Sequence, residues 1–394
     1  MRSEATKKRI LILCPIEWSY GRNIILGARH HAFTSNNLEI GHGTWEPGAS
    51  ESLADLVKRQ KIDGVIARAQ NQDFENALLE SGVPCVNVSN VLKVTKTAQV
   101  TQDDFSVGRL AAEHLHRCGC SHFAYWEQDD SYFSLERVRG FRDTISQLAA
   151  PKAISQGSSG PLGEEDTTKL INKMKRWLKK LPDQTGIFTV LDPYALDLIR
   201  AAKEIGRNVP EQLAILGVGN DEFWVDFEHI PLSSVKLPAW QIGAEACTLL
   251  DKMMCDSTAK QNELIRVPVT EVVPRQSTDI LYTSDEAVQK AIAFIRENAQ
   301  SAISVDEVVR ASGISRSGLQ RRFASLLDNS ILSEIQAARI ERVKFFLRET
   351  DMKIANIAEV CGFSDSPRLH VLFRQITDLT PAQYRQRCKF EKLA

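Results

Sequence analysis

From residue 10 to residue 267, short aliphatic and β-branched runs alternate with amphipathic stretches, and this alternation constrains the fold more than any other feature of the chain. The apolar runs lie at 10–14, 64–67, 83–88, 122–126, 186–190, 213–218 and 264–267, and helical periodicity occupies 23–33, 74–80, 105–115, 135–148, 195–204 and 242–254. Strands separated by helices pair side by side in parallel, because the helix supplies the crossover that a parallel neighbour needs. A segment of about 270 residues is long for one such core, so two lobes are expected. Ligands of open α/β sheets sit at the carboxyl ends of the strands, which makes polar residues just after the strands the ones to inspect.

Beyond Glu271-Val272-Val273-Pro274-Arg275-Gln276-Ser277-Thr278 the strand signal stops and the remainder reads as helices with short turns. Charge changes at the same place. Residues 286–394 hold 17 Lys+Arg against 13 Asp+Glu, a net of +4, which leaves 32 against 37, or −5, for the rest of the whole-chain −1. A basic end suits a polyanion, although +4 is modest.

Within that end, Ser304-Val305-Asp306-Glu307 is a capping box opening a helix with Val308, Val309 and Ala311. Gly313 permits a sharp turn, Ile314 plugs the core, and Ser315 caps a second helix whose buried stripe is Leu319 and Phe323. Ile357, Ala358, Gly362, Phe363, Ser364, Leu369 and Phe373 repeat this order about 50 positions later, with one extra residue in the second turn. Residues 333–348 between them predict a connector helix of about 24 Å, able to hold two recognition helices near the ~34 Å spacing of successive major grooves.

This end resembles the AraC family of bacterial regulators over about 284–389. The match runs through Asp306, Ala311, Gly313-Ile314-Ser315, Leu319-Gln320-Arg321-Arg322-Phe323, Arg339, Ile357-Ala358, Cys361-Gly362-Phe363-Ser364, Phe373-Arg374 and Leu379-Thr380-Pro381-Ala382-Gln383-Tyr384-Arg385. With Leu319 and Phe323 inward, Ser317, Gln320 and Arg321 turn outward as candidate base readers, Gln suiting adenine and Arg suiting guanine. Arg316, Arg322 and Arg374 are candidate phosphate contacts; a solvated face is the alternative reading for any one of them. The second unit departs from the family, with Leu369 for an aromatic, Val371 for a polar reader and Pro367-Arg368 at the helix start. Ser366, Arg368 and His370 remain its candidate readers, and thinner base readout is expected. The glycine usual after the first recognition helix is replaced by Asp328-Asn329.

The alternating part resembles the periplasmic-binding-protein-like effector domain of the LacI/GalR regulators. The likeness lies in residues 104–115, Arg137-Val138-Arg139-Gly140-Phe141, Asp192 with Ala195, Val209-Pro210-Glu211, Ile215-Leu216-Gly217-Val218, Leu232-Ser233-Ser234-Val235 and Pro274-Arg275-Gln276-Ser277-Thr278. Those regulators carry an N-terminal helix-turn-helix, whereas about nine residues precede the first strand here, so the DNA-binding role is expected at the other end. By this resemblance Arg137 and Asp192 fall on ligand positions. Tyr20 and Arg22 after the first strand, and Asn220 and Asp221 after 213–218, complete the candidate ligand set, with capping or ion pairing as the alternative for each. The family's sugar-binding Asp is Gly219 here, so Asn220 or Asp221 must take over or the ligand differs. Trp18, Phe223 and Trp224 can stack on a ring or belong to the core.

The joined architecture resembles the xylose-operon activators. That resemblance implies a sugar effector such as D-xylose, double-stranded DNA and RNA polymerase as partners, a homodimer and a cytoplasmic location; a repressor, another sugar, or a solute-binding protein for transport are the alternatives. The expected fold class is α/β, a two-lobed periplasmic-binding-protein-like sensor with parallel sheets, followed by an all-α domain with two helix-turn-helix units. The expected boundaries are a tail at 1–9, a sensor at 10–279 with lobes at about 10–117 plus 250–279 and 118–249, a linker at 280–285 and the DNA-binding domain at 286–394.

Other classes find little support. No apolar run approaches the roughly 18 to 20 residues of a membrane span. Lys7-Lys8-Arg9 before 10–14 imitates a signal peptide, but Glu17 interrupts it and no cleavage site follows. The eight Cys form no disulfide framework or paired CxxC motifs. His114, His116, Cys118, Cys120 and His122 cluster in sequence, but span a helix end, a turn and a strand start, so neither metal nor cofactor is assigned. No HExxH, GxSxG or GxxxxGK motif is present, so no enzyme is expected. The stretch 157–163, rich in Gly and Ser, reads as a surface loop rather than a phosphate loop, because no Lys-Ser/Thr follows.

Overall fold

The computed structural model describes residues 7–35, 37–128, 131–148, 154–161, 163, 165–225, 230–256, 262–280, 285–298, 303–327, 329–377 and 379–392. Residues 281–284 of the expected linker, Leu162 and Asp328 lie outside the described residues. The chain divides into two compact units, Met1–His116 with His122–Asp279, and Arg117–Ser121 with Ile280–Ala394.

The first unit is built on strands β1 (Lys8–Leu13), β2 (Leu38–His42), β3 (Gly64–Ala67), β4 (Cys85–Asn87), β5 (Ala98–Gln102), β6 (His122–Gln128), β7 (Ser155–Ser159), β8 (Thr185–Thr189), β9 (Leu213–Gly219), β10 (Ser233–Lys236), β11 (Leu264–Val267) and β12 (Glu271–Val273). They form two sheets, ordered β11-β5-β4-β3-β1-β2 and β12-β10-β9-β8-β6-β7. All pairings are parallel except β10 with β12. β1 illustrates why its sequence reads as one apolar run. Ile10 and Ile12 face helices Ser19–Ser35 and Ala239–Cys255, while Leu11 and Leu13 face helices Leu53–Gln60 and Gln72–Glu80, so both faces are covered.

The lobe boundaries expected from the sequence, 250–279 in the first lobe and 118–249 in the second, differ from those of the structure. Instead, the whole Ala239–Cys255 helix packs Ala239, Ile242, Ala246, Leu249 and Leu250 into the first lobe's core, and β12 returns to the second lobe's sheet. The cause is an apolar helix face that matches the Ser19–Ser35 helix at Gly27 and Gly243, with the carbonyl oxygen of Ile24 only 2.0 Å from where a Cβ on Gly243 would lie. Pro268, which has no N–H to donate, follows β11, and the chain then leaves that sheet. The stretch 157–163 also departs from the expected surface loop: Ser155–Ser159 is an edge strand pairing in parallel with β6. Its lack of large side chains is a packing requirement, since a Cβ on Gly157 would come within 2.3 Å of the Trp126 ring.

The second unit is helical among its described residues. Val288, Ile292, Val308, Leu319, Phe323, Ile331 and Ile335 form one core, and Ile340, Val343, Leu347, Ile357, Leu369, Phe373 and Tyr384 form another. Helix Ile331–Glu349 contributes to both. Its 19 residues span about 28 Å, one turn longer than the sequence suggested.

Candidate ligand cleft and DNA-reading face

The polar candidates of the first unit gather at the carboxyl ends of the strands. After β5 the chain passes to the second lobe through Gln102, Asp103 and Asp104. Asp104 is 3 % exposed and accepts from Arg137 Nε at 2.7 Å, from Asn90 Nδ2 at 2.7 Å and from Gln102 Nε2 at 3.0 Å. Arg137, equally buried, donates from Nη1 to the Val190 carbonyl at 2.6 Å and lies over the Phe133 ring at 4.8 Å. Two buried charges survive here because each is paired and hydrogen-bonded on several sides. Tyr20 donates toward Gln102 Oε1 at 3.0 Å, and burial pushes its phenol well above the ordinary value.

The second group follows β8 and β9. Asp192 Oδ1 accepts from Ser234 Oγ at 2.6 Å, and Oδ2 lies 3.4 Å from the Asp221 backbone N–H. Burial raises its pKa to about 6, offset in part by these donors. The carboxylate fits only because β9 is bare: a Cβ on Gly217 would meet Asp192 Oδ1 at 2.2 Å, and one on Gly219 would meet Oδ2 at 3.1 Å. A larger residue in place of Gly219 therefore competes with Asp192 for space.

Asn220 and Asp221 do different things. Asn220 stands at φ +54, where Asn is tolerated better than most residues, and donates from its backbone N–H to Ser234 Oγ at 3.0 Å. Its side-chain Oδ1 is buried with no hydrogen-bond partner. Asp221 is occupied instead. Its Oδ2 accepts from the Ser19 backbone N–H at 2.7 Å, at the start of the first lobe's Ser19–Ser35 helix, and lies 3.5 Å from Arg22 Nη2. Arg22 also donates to the carbonyls of Ile16 and Glu17 at 2.8 and 3.0 Å. Trp18 and Trp224 pair with each other, ring centroids 6.1 Å apart. Thus Arg137 and Tyr20 share the Gln102–Asp104 network, Asp192 and Asn220 meet at Ser234, and Arg22 with Asp221 ties one lobe to the other.

Gln102, Asp104, Asn90 and Ser234 were not among the sequence candidates. Gln102 ends a strand of mixed polarity that the apolar-run criterion passes over, yet its place just before a helix start was the available signal. Of the His/Cys stretch, His114 Nε2 faces Thr278 Oγ1 at 2.7 Å, and Cys118 and Cys120 are buried. Among the described residues no group of three or more His, Cys, Asp or Glu is arranged to hold a metal ion, and no helix is long and apolar enough to cross a membrane.

In the second unit both helix-turn-helix patterns form. Helix Val305–Ser312 opens with the capping box and ends at Gly313, φ +73; Ser315 Oγ then accepts from Gly318 N–H at 3.2 Å to start helix Arg316–Leu327. Helix Ile354–Val360 leads to Gly362, φ +74, and Asp365 accepts from Arg368 N–H at 2.8 Å to start helix Ser366–Thr377. The extra residue of the second turn thus makes Asp365 the counterpart of Ser315. Leu319, Phe323, Leu369 and Phe373 are fully buried, and Ser317, Gln320, Arg321, Arg368 and Arg374 are exposed, with Ser366 and His370 half-buried. Several arginines are paired within the unit: Arg322 with Asp285 at 2.8 Å, Arg316 with Asp306 at 3.2 Å, and Arg368 with Asp365 at 4.0 Å.

Comparison with known proteins agrees with this geometry. A periplasmic binding protein-like domain matches residues 112–278, and a helix-turn-helix domain matches residues 308–387. The xylose operon regulatory protein of Escherichia coli strain K12 is 29% identical over 389 residues, covering 96% of this chain and 97% of its own length. That of Haemophilus influenzae is 28% identical over 341 residues, 85% of this chain and 87% of its own. The structure of a xylose-binding transcription activator superposes with a TM-score of 0.61 at 27% identity, over 98% of this chain and 99% of that one. A ribose-bound LacI family regulator from Enterococcus faecium shares the fold of the first unit, with a TM-score of 0.57 at 21% identity over 70% of this chain. The chain is therefore a DNA-binding transcription regulator and not an enzyme, with a periplasmic-binding-protein-like sensor ahead of a double helix-turn-helix reader, and it is similar along nearly its whole length to the xylose operon regulatory proteins.

Proposed function

We propose that this regulator senses a pentose, D-xylose or a close stereochemical relative, and acts in the cytoplasm as a homodimeric activator of pentose-catabolic genes, working with RNA polymerase at paired half-sites. The observation that carries the sugar reading is the convergence of Arg137, Asp192 and the unpartnered buried Asn220 Oδ1 at the carboxyl ends of the strands. A sugar needs donors and acceptors that bond neighbouring hydroxyls. Arg137 supplies donors, Asp192 and Asn220 supply acceptors, Tyr20 lines the first-lobe side, and Arg22 with Asp221 favours lobe closure. Similarity to the xylose operon regulatory proteins along nearly the whole chain supports the pentose and the activating role. On the DNA side, Ser317, Gln320 and Arg321 read bases in the first half-site and Ser366, Arg368 and His370 in the second, while Arg316, Arg322 and Arg374 contact phosphates.

A thermal-shift panel of pentoses and hexoses on the purified protein tests this. Any ligand that binds the native state raises the melting temperature, by about 2.7 kcal/mol of stability at a hundredfold excess over Kd. D-Xylose or another pentose should give the largest shift. A panel in which no pentose moves the transition, or in which only hexoses do, sinks the pentose assignment.

A further inference from the structure

The two recognition helices carry the same inward residues and different outward ones. Leu369 and Phe373 lie fifty positions after Leu319 and Phe323, and all four are 0 % exposed. The same offset places Val371 where the first helix has Arg321. Val371 is 69 % exposed, on the opposite side of helix Ser366–Thr377 from its core residues, and the exposed Pro367 is one turn before it. Arg368 and Arg374 flank it and are exposed.

A lone exposed valine on an ordinary helix needs no explanation. At this position it has a chemical consequence. The floor of the major groove presents hydrogen-bond donors and acceptors and one apolar group, the thymine C5-methyl. An isopropyl group forms no hydrogen bonds, so it distinguishes bases only by packing on that methyl, and it penalises a base whose polar edge it would leave unpaired. We propose that Val371 is a specificity-determining residue that reads thymine through its 5-methyl group. The second helix-turn-helix then adds an apolar contact to the polar readers Ser366, Arg368 and His370, at the position where the first uses the hydrogen-bonding Arg321. This inference rests on the DNA-binding reading of the second unit.

Deoxyuridine keeps the pairing edge of thymidine and lacks only the methyl, so it isolates the contact. A binding site would be selected from random duplex DNA by the full-length protein, and each thymidine then replaced singly by deoxyuridine in gel-shift titrations. One or two thymidines in the half-site covered by the second unit should show an affinity loss of about threefold to tenfold. Val371→Ala should bind the parent site about as weakly as wild type binds the substituted one, and should no longer distinguish the two. Val371→Ile should retain the discrimination. Because Val371 is exposed and Ala is the stronger helix former, the Ala variant keeps the helix. A defined site without any methyl-dependent thymidine, or a Val371→Ala protein that still discriminates, overturns this inference and leaves DNA binding standing. Failure to enrich any site overturns both.

Discussion

Asp192 combines full burial, a raised pKa and a place at the end of β8, and the three together fix how it must respond to pH. Its pKa rises from 3.8 to about 6 on folding, so the native state holds the proton to higher pH than the unfolded chain does. The stability from this group is therefore complete below about 3.8 and is lost as pH climbs through about 6. Sugar binding should run the other way, because hydroxyls donate best to the anion. At pH 5 about one molecule in ten is ionised at this group, so sugar affinity should be roughly tenfold weaker than at pH 7.5. Calorimetric titration at the two pH values checks this, and equal affinities would remove Asp192 from direct contact with the ligand. The sequence offers Asp192 as a ligand candidate by resemblance alone. Its environment was not legible there, because Gly217, Gly219 and Ser234 meet it only after β9 and β10 have paired alongside β8.

Among the elements, the crossing of helices Asp104–Arg117 and Tyr132–Leu148 decides whether the Asp104–Arg137 pair exists. Their backbones touch at two glycines: a Cβ on Gly108 would lie 1.9 Å from the Arg137 carbonyl oxygen, and one on Gly140 would lie 2.1 Å from that of Phe105. Neither obstacle is the end of a flexible side chain, so the helices must separate to admit a methyl group. Gly140→Ala should destabilise the protein by about 1–3 kcal/mol, the usual cost of overpacking, despite alanine's better helix propensity. It should also weaken sugar binding, since the two halves of the ion pair ride on the separated helices. Urea unfolding with sugar titration measures both, and an unchanged or raised midpoint would refute the tight crossing. Sequence periodicity located these two helices. It missed edge strand β7 and strand β5, whose residues are polar or mixed because an edge or a hinge does not require an unbroken apolar run, and helix Thr167–Leu178, which buries only Leu170, Met174 and Leu178.

On the scale of the whole molecule, sensing and reading reside in separate compact units, each with cores of its own. Arg321→Ala alters an exposed side chain of the second unit only. It should lower affinity for the specific site by about 1–3 kcal/mol, while the thermal shift produced by sugar without DNA stays as in wild type. With DNA present, linkage requires sugar to change operator affinity by the same factor by which operator changes sugar affinity. An operator affinity that sugar leaves unchanged would exclude a coupling between these two sites, and undiminished operator affinity in the variant would exclude Arg321 as a reader.

Local patterns were enough to determine a parallel α/β segment, a repeated helix-turn-helix and the caps at Ser304 and Ser315, because each depends on the order of residues within one or two elements. The Ser304–Glu307 box and the burial of Leu319, Phe323, Leu369 and Phe373 follow from spacing alone. Tertiary structure decided the rest: helix Ala239–Cys255 joins the first lobe, Asp221 closes on Ser19 and Arg22, and Asn220 alone of that pair keeps a buried oxygen unpartnered. Those outcomes depend on which surfaces and donors meet across about 200 residues of intervening chain, and periodicity carries no record of such distant neighbours.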